Sequence, residues 1–256
     1  MPDERTFPAG TRVDDLDLSG VRLHGTNLEG ARLTETYLSG ASITGDIEGL
    51  RVNGVEIEPL VRAELVRRHP ELAMLRASDI GALREAWSML EGLWTETTAR
   101  ATRLPEGLLS ERVDGEWSFL ETLRHLVFAT DCWVARGIHG EPRPYHVWGL
   151  PWSGAGTEWA REVGVDPDAN PTLDQVLEMR EDRQASVRAT LDVLTDAELG
   201  EVRRAPDDGG HPSGEHTVLH CLHVVFNEEW HHRRYAVRDL DVLDPDGRGR
   251  QIAGEG

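Results

Sequence analysis

The stretch SFLETLRHLVFATDCW, residues 118–133, carries the signals of a long, buried helix. Ser118 followed three residues later by Glu121 is the pattern of a capping box, in which each side chain binds a backbone N–H group near the other residue. Apolar side chains recur at helical spacing and form one face: Phe119, Leu126 and Trp133. The stretch therefore predicts a helix that begins near Ser118, ends near Ile138 and packs against other helices.

Three further segments carry helix signals of the same kind, and they predict helices over about residues 79–103, 172–194 and 215–240. Asp79 is a suitable N-cap, and Thr172 with Gln175 forms a second capping-box pattern. The intervening segments 139–171 and 200–214 have the composition of long connections. Four long helices with apolar faces pack most economically as a four-helix bundle, so the predicted fold class is mainly α.

Residues 11–45 show a different periodicity, of five residues. An apolar residue falls at every fifth position: Val13, Leu18, Leu23, Leu28, Leu33, Leu38 and Ile43. Helices repeat at about 3.6 residues and strands at 2, so neither explains the spacing, whereas a square β-solenoid with five-residue sides does. The segment resembles the pentapeptide-repeat family, which forms right-handed coils of this kind.

The residues between the repeats and the first long helix carry two shorter signals. Alternating apolar residues around Asn53–Gly54 predict a β-hairpin, and PLVRAELVRRHPEL predicts a short helix that ends near Pro70. The predicted organisation has three parts: a solenoid and hairpin over 11–57, a linking helix over 58–74, and a bundle over 75–243.

The composition excludes several classes of partner. The chain of 256 residues has 46 acidic and 27 basic residues and a formal charge of −19, so phosphate backbones and anionic membranes would repel it. We therefore expect no nucleic-acid partner. The N-terminal decapeptide has no apolar signal core, and no apolar run reaches the roughly 18 residues of a membrane span. Two cysteines without a CxxC motif argue against a disulfide framework. A cytoplasmic protein with no membrane partner is expected.

The last predicted helix carries the residues NEEWHHRR, 227–234, which suggest a metal site. With about 100° per residue, Glu228 and His232 lie one turn apart at the margin of the apolar face, whereas His231 points about 100° away. Two side chains four residues apart can share one cation. A glutamate oxygen and a histidine nitrogen suit zinc, nickel or iron(II).

A third ligand has to come from another helix, and His125 is the best candidate. The helical count places it beside Ala129 and Cys132, at the edge of an apolar face. Three protein ligands leave coordination positions open, which is the pattern of a reactive metal site rather than a closed structural one. A histidine at the edge of a bundle core can equally be a hydrogen-bonded boundary residue, and Glu228 can equally pair with a nearby arginine.

The combination of EWSFLETLRHLVFATDCW (116–133) and EEWHHRRYAVRDLDVL (228–243) resembles the DinB-like superfamily of metal-binding four-helix bundles, over about residues 75–243. In that superfamily the ligands are a histidine on the second helix and two residues four apart on the last. The resemblance implies that these ligands are His125, Glu228 and His232. Glu228 stands where many members have histidine and where the mycothiol-dependent maleylpyruvate isomerase has glutamate.

The resemblance also implies a reaction class. The superfamily includes enzymes that use mycothiol or bacillithiol, so a divalent metal with a low-molecular-weight thiol such as mycothiol is the implied cofactor set. The implied partners are a small-molecule thiol and a small electrophile, and we expect the bundle to form a homodimer. The resemblance does not extend to the additional domain of the isomerase, so activity on maleylpyruvate is not expected.

Two other interpretations stay open. The motif E-x-x-H occurs as Glu229–His232 and as Glu228–His231, but a di-metal carboxylate bundle needs two such motifs on separate helices and two more inward glutamates. The chain can also be a non-catalytic metal-binding, stress-response or interaction protein. The tryptophan-rich segment 145–159 is interpreted either as a pocket wall or lid or as a packed loop. Arg233 and Arg234 are interpreted either as ligands of a substrate carboxylate or as salt-bridge partners.

Overall fold

A computed structural model describes residues 7, 10–23 and 25–244. The chain divides into two compact units, which meet in sequence between Ser42 and Ile43. Most of the N-terminal decapeptide, where the sequence predicts no signal core, lies outside the described residues.

The first unit is a succession of tight turns. Backbone φ angles are positive at every fifth residue from Gly10 to Gly40. β-turn hydrogen bonds recur every ten residues: Val21 N–H to Leu18 O, Ala31 N–H to Leu28 O and Ala41 N–H to Leu38 O, at 2.9–3.0 Å. The five-residue period of the sequence is therefore also a period of the backbone.

The repeated leucines of this unit do not form a buried core in the structure. Leu18, Leu28 and Leu38 are 49 %, 54 % and 47 % exposed, and no strand occurs among the residues described before position 51. The square β-solenoid thus stays a prediction.

The second unit begins with the expected hairpin and short helix. Strands β1 and β2 (Arg51–Val52 and Val55–Glu56) pair antiparallel around Asn53 and Gly54. Both turn residues have positive φ angles, of 51° and 82°, as a two-residue type I′ hairpin requires. Helix α1 (Glu58–Arg68) follows, and a 3₁₀ segment (Pro70–Arg76) leads to the long helices.

Seven further helices follow within the part of the unit that the structure describes, and the fold is mainly α. They are α2 (Ile80–Ala101), α3 (Glu106–Leu109), α4 (Phe119–Thr130), α5 (Thr157–Glu162), α6 (Leu173–Val193), α7 (Asp196–Leu199) and α8 (Val218–Leu243). A π-helical extension, Asp131–Arg136, continues α4. The four long helices pack together, since α2 and α4 each contact both α6 and α8. None of the helices in the described ranges combines the length and apolar content that a membrane crossing requires.

The caps predicted from the sequence are present. Ser118 and Glu121 form both hydrogen bonds of a capping box at α4, and Thr172 with Gln175 does the same at α6. Asp79 accepts a hydrogen bond from the Ala82 N–H group at the start of α2. These local bonds satisfy backbone donors that have no partner within a helix, so they fix where the long helices begin.

Two predicted boundaries differ from the structure. The last helix begins at Val218 rather than near Glu215, because Glu215–Thr217 forms strand β4 and pairs antiparallel with β3, Val202–Arg204. The Thr217 side chain then caps α8. The connection 139–171, expected to be a loop throughout, contains α5.

The connection between α4 and α6 is tied to α4 at two buried residues. The Arg124 guanidinium donates to the Trp148 carbonyl at 2.8 Å. The Asp131 carboxylate accepts from the His146 N–H group at 2.8 Å and from Arg183 of α6 at 2.6 Å. The connection therefore lies over α4, and this position brings it to the candidate site.

Candidate metal centre

His125, Glu228 and His232 converge in the second unit. One ligand atom from each lies within 4.8 Å of the other two. The Nε2 atoms of both histidines face the same carboxylate oxygen, Oε2 of Glu228, at 3.4 Å for His125 and 3.0 Å for His232. The helical spacing places the last two residues one turn apart on α8, and the packing of α4 against α8 adds His125.

The tautomer of the neutral His125 ring follows from its second nitrogen. Nδ1 lies 2.9 Å from the carbonyl oxygen of Leu150. A carbonyl oxygen only accepts, so Nδ1 carries a proton, and in the neutral ring Nε2 then presents a lone pair. A backbone carbonyl behind a histidine commonly fixes the tautomer of a metal ligand in this way. Two acceptor atoms, Nε2 of His125 and Oε2 of Glu228, thus face each other, and a cation between them makes that arrangement favourable.

His125 is more buried than the sequence suggested. The sequence placed it at the edge of an apolar face, whereas its exposure is 7 %. Two contacts contribute: the Leu150 carbonyl of the connection between α4 and α6 hydrogen-bonds to the ring, and the Trp117 ring packs on it.

Electrostatics favour the ionised form of Glu228. Burial by itself raises the pKa of a carboxyl group. When the two imidazoles are protonated, the hydrogen bonds that His125 and His232 donate, together with their positive charge, outweigh burial and hold the pKa of Glu228 well below its usual value. A carboxylate that is ionised at neutral pH between two imidazole rings is a suitable donor set for a divalent transition metal.

An aromatic side chain covers the two histidines. The Trp117 ring lies 4.5 Å from the His125 ring and 5.7 Å from the His232 ring, between centroids. Trp117 directly precedes the Ser118 cap of α4, so the start of the helix positions it. Its indole ring therefore packs on both imidazoles, whose Nε2 atoms meet at Glu228.

The three residues line a cavity of about 490 Å³. Its other walls are largely aromatic and include Trp117, Phe128, Trp133 and Trp152. Trp152 belongs to the tryptophan-rich segment, which the sequence interpreted as a pocket wall or a packed loop. Both interpretations apply within that segment, because Trp152 lines the cavity while Trp159 packs beside Phe128 and Tyr145.

Cys132 also lines the cavity, but its thiol is a poor nucleophile. The residue is buried, and burial raises the pKa of the Cys132 thiol well above its usual value, an effect that nearby Asp131 strengthens. A thiol in this state has almost no thiolate at neutral pH, and thiolate is the nucleophilic form.

Arg233 and Arg234 do not line the cavity. The Arg233 Nε donates to the Leu93 carbonyl at 2.9 Å and to the Thr97 hydroxyl at 2.8 Å. The Arg234 guanidinium lies 5.0 Å from the centre of the Trp230 ring. The interpretation of these arginines as ligands of a substrate carboxylate at this cavity is therefore not supported, and their contacts hold α8 in place instead.

Glu229 and His231, the other residues of the E-x-x-H motifs, have different roles. Glu229 forms a buried ion pair with Arg180 of α6, at 2.7 Å for each of two contacts. The His231 ring packs edge-on against Trp230. Across residues 25–244, His125, Glu228 and His232 are the one group of three or more such side chains with ligand atoms close enough to share an ion, so nothing here favours the di-metal interpretation.

Among the lining residues that the sequence did not indicate, Trp117 and His211 matter most for the site. Trp117 precedes a capping box, and that position alone did not distinguish it from the other tryptophans. His211 lies in the connection 200–214, which was interpreted as a polar linker, and the sequence carries no local signal for its position. It reaches the cavity because the Tyr145 hydroxyl donates to the His211 carbonyl and accepts from the His211 N–H group, both at 2.7 Å.

Comparison with known proteins gives two family matches. No curated protein matches the chain. A family model described as pentapeptide repeats (8 copies) matches residues 17–45, the segment with the five-residue period. A model of the DinB superfamily matches residues 89–236, which is more than half of the chain and includes all three residues of the candidate centre. The chain therefore belongs to the DinB superfamily.

Proposed function

We propose that this protein is a divalent-metal-dependent enzyme that transfers a low-molecular-weight thiol to a small electrophile. The observation that carries the proposal is the meeting of His125, Glu228 and His232 at the wall of an aromatic cavity. Three protein donors leave coordination positions open toward bound molecules, as in reactive metal sites. Zinc, nickel and iron(II) all suit two imidazole nitrogens and one carboxylate oxygen.

The residues of the site have distinct tasks. His125, Glu228 and His232 hold the ion, and the Leu150 carbonyl fixes the His125 tautomer. The cation supplies the positive charge that favours a thiolate over a thiol. Trp117 packs on both histidine rings, and the aromatic walls give the site a largely apolar lining.

The nucleophile is expected to come from a separate thiol molecule. The two cysteines of the chain are free and buried, and burial raises the pKa of both thiols. In the proposed reaction the thiol gives its proton to solvent, its sulfur forms a C–S bond with the electrophile, and the leaving group departs with its electron pair. Mycothiol and bacillithiol are the thiols that the superfamily suggests.

Metal binding is tested first, on protein purified without a histidine tag. Elemental analysis is expected to find about one zinc, nickel or iron per chain. His125→Ala and His232→Ala should lose it. His231→Ala is the matched control, because it removes the neighbouring imidazole, whose ring packs on Trp230 and lies outside the group of three. A wild-type chain that takes up none of the three metals would sink the enzyme proposal.

Turnover is tested next, with the metal-loaded protein. Mycothiol, bacillithiol and glutathione are each combined with monobromobimane, whose bromide leaves as the fluorescent thioether forms. Metal-dependent acceleration with one thiol, absent in His232→Ala and retained in His231→Ala, supports the transferase. A bound metal without turnover across a wide panel of thiols and electrophiles favours the alternative, a non-catalytic metal-binding protein with the repeat segment as an interaction surface.

A further inference from the structure

The walls of the cavity carry little charge. Glu228 is the one acidic residue among the described residues that line it, and none of these is lysine or arginine. No lysine or arginine of the described chain lines the cavity to pair with a carboxylate or phosphate on a bound molecule. Apart from a metal ion, the charged group that such a molecule would meet is the Glu228 carboxylate. Charge complementarity therefore disfavours anionic molecules.

The nearby arginines bind other groups of the protein, and of the Arg136 guanidinium the buried Nη1 alone has no hydrogen-bond partner among the described residues. Arg180 binds Glu229, and Arg233 binds the Leu93 carbonyl and Thr97. The buried Arg136 donates to the Pro212 carbonyl at 2.9 Å and pairs with Asp208 at 2.6 Å. None of these three lines the cavity, so a small change of rotamer does not convert it into an anion site.

Flat aromatic surfaces form most of the wall. Phe128, Trp133 and Trp152 come from α4, its π-helical extension and the connection that follows. Aromatic rings attract one another beyond their apolar burial when they stack with an offset or meet edge to face. Walls of this kind recognise a flat, conjugated molecule better than an aliphatic one of equal size.

His211 supplies an uncharged hydrogen-bonding group to the same cavity. Its backbone is held by Tyr145 on both sides of the residue, and its ring lies 4.8 Å from the Trp152 ring and 5.6 Å from the Trp133 ring. Within the described chain no hydrogen bond is formed by the His211 ring nitrogens. Burial, and then the charges of His216 and Arg136, lower the pKa of His211, so the ring is neutral at pH 7 and offers one donor and one acceptor.

We propose that the electrophile bound by this cavity is an uncharged aromatic or conjugated molecule whose hydroxyl, carbonyl or amide group hydrogen-bonds to His211. That the bound molecule is a substrate rests on the proposed function. The new element is that His211 and the aromatic wall determine which molecules bind, independently of the metal. His211 is thus a specificity-determining residue at the wall formed with Trp133 and Trp152.

The test measures binding of three probes to the metal-free wild type by isothermal titration calorimetry. Benzamide carries a ring and a neutral polar group, benzoate exchanges the amide for a carboxylate, and acetamide lacks the ring. Benzamide is expected to bind at least about tenfold more tightly than either of the other two, since each lacks one of the two recognised features. Equal or tighter binding of benzoate to the metal-free protein would overturn the proposal.

A matched pair of variants tests the role of His211. His211→Phe keeps a flat ring and removes the hydrogen bond, and should weaken benzamide binding about fivefold, as loss of one neutral hydrogen bond does. His220→Phe is the control, because His220 also contacts Trp133 but does not line the cavity. Equal benzamide affinities in the two variants would contradict the proposed hydrogen bond from the ligand to His211. Because these titrations need neither metal nor thiol, benzamide binding without thiol transfer refutes the proposed function alone.

Discussion

Arg180 of α6 and Glu229 of α8 form a bidentate ion pair, with Nη1–Oε1 and Nη2–Oε2 distances of 2.7 Å. Their side chains are only 4 % and 1 % exposed. The backbone carbonyl of Glu229 also accepts a hydrogen bond from the Trp94 indole of α2, at 3.2 Å. Three long helices thus meet directly behind Glu228, and this contact fixes the turn of α8 that presents the candidate ligand.

Glu229→Gln is expected to lower the free energy of unfolding by about 3–5 kcal/mol, because it leaves the Arg180 charge buried without its partner. Arg180→Met should cost a similar amount for the converse reason. The double variant should cost less than the sum of the two single changes, since it leaves no isolated charge. Urea denaturation of the three variants measures these differences.

The control for this prediction is Arg188→Met. Arg188, on the same helix as Arg180, pairs with Glu91 of α2, but its side chain is 47 % exposed. Exposed ion pairs contribute about 0–1 kcal/mol. If Glu229→Gln cost no more than Arg188→Met, burial of the Arg180–Glu229 pair would not be what stabilises this contact.

The positions of the long helices could be predicted because their signals are local. The capping boxes at Ser118 and Thr172 act within four residues, and the apolar period of each helix needs no knowledge of its neighbours. The same holds for the one-turn spacing of Glu228 and His232. His125 needed the family resemblance in addition, because its approach to α8 depends on how two helices pack.

The remaining parts of the site could not be predicted, because they depend on tertiary contacts. Helical spacing selects Glu228 as the partner of His232, but the pairing of Glu229 with Arg180 of α6 is a contact between helices that no local pattern shows. His211 reaches the cavity through hydrogen bonds to Tyr145, which lies 66 residues away in sequence. The strand β4 depends likewise on a partner, β3, that has little strand character of its own.

Gly149→Ala is expected to weaken metal binding by about tenfold without changing a ligand. A Cβ atom at Gly149 would lie 3.1 Å from the His146 carbonyl oxygen and 3.3 Å from Phe128 Cβ, so the backbone has to move. The carbonyl oxygen of Leu150, the next residue, would then no longer accept the hydrogen bond from His125 Nδ1. Competition with a chromophoric zinc chelator measures the affinity.

Gly154→Ala is the matched control for this change. It lies in the same connection, and its Cβ would meet only the Trp152 side chain, at an ordinary contact distance of 3.4 Å. Its zinc affinity should equal that of the wild type. Equal losses in both variants would point to a general disturbance of the connection rather than to the His125–Leu150 hydrogen bond.

Neither cysteine is expected to react with a thiol reagent in the native protein. Burial raises the pKa of Cys221 to about 11 and that of Cys132 well above its usual value. At pH 8 the native chain should therefore release no chromophore from Ellman's reagent within minutes, and the chain unfolded in urea should release two equivalents, one for each free cysteine. Rapid reaction of one native thiol would reopen the question of an internal nucleophile.

The stability of the bundle should depend on pH through Asp131. Burial raises the pKa of Asp131 to about 6, although Arg183 and the His146 N–H group favour its ionised form. In the unfolded chain the pKa is about 3.9, so between these values the native state retains a proton that the unfolded state has released. The contribution of Asp131 to the free energy of unfolding is thus fully present below about pH 4 and is lost as the pH rises through 6, by up to about 3 kcal/mol.

Urea denaturation of the wild type and of Asp131→Asn, from about pH 7.5 down to about pH 5, isolates this effect, because the other titrating groups are common to both chains. The free energy of unfolding of the wild type minus that of the variant should increase as the pH falls. The physical reason is that a protonated carboxyl group, unlike a buried carboxylate, carries no desolvation penalty for charge. A difference that instead decreased toward acid pH would show that the ion pair with Arg183 outweighs the cost of burying the Asp131 charge.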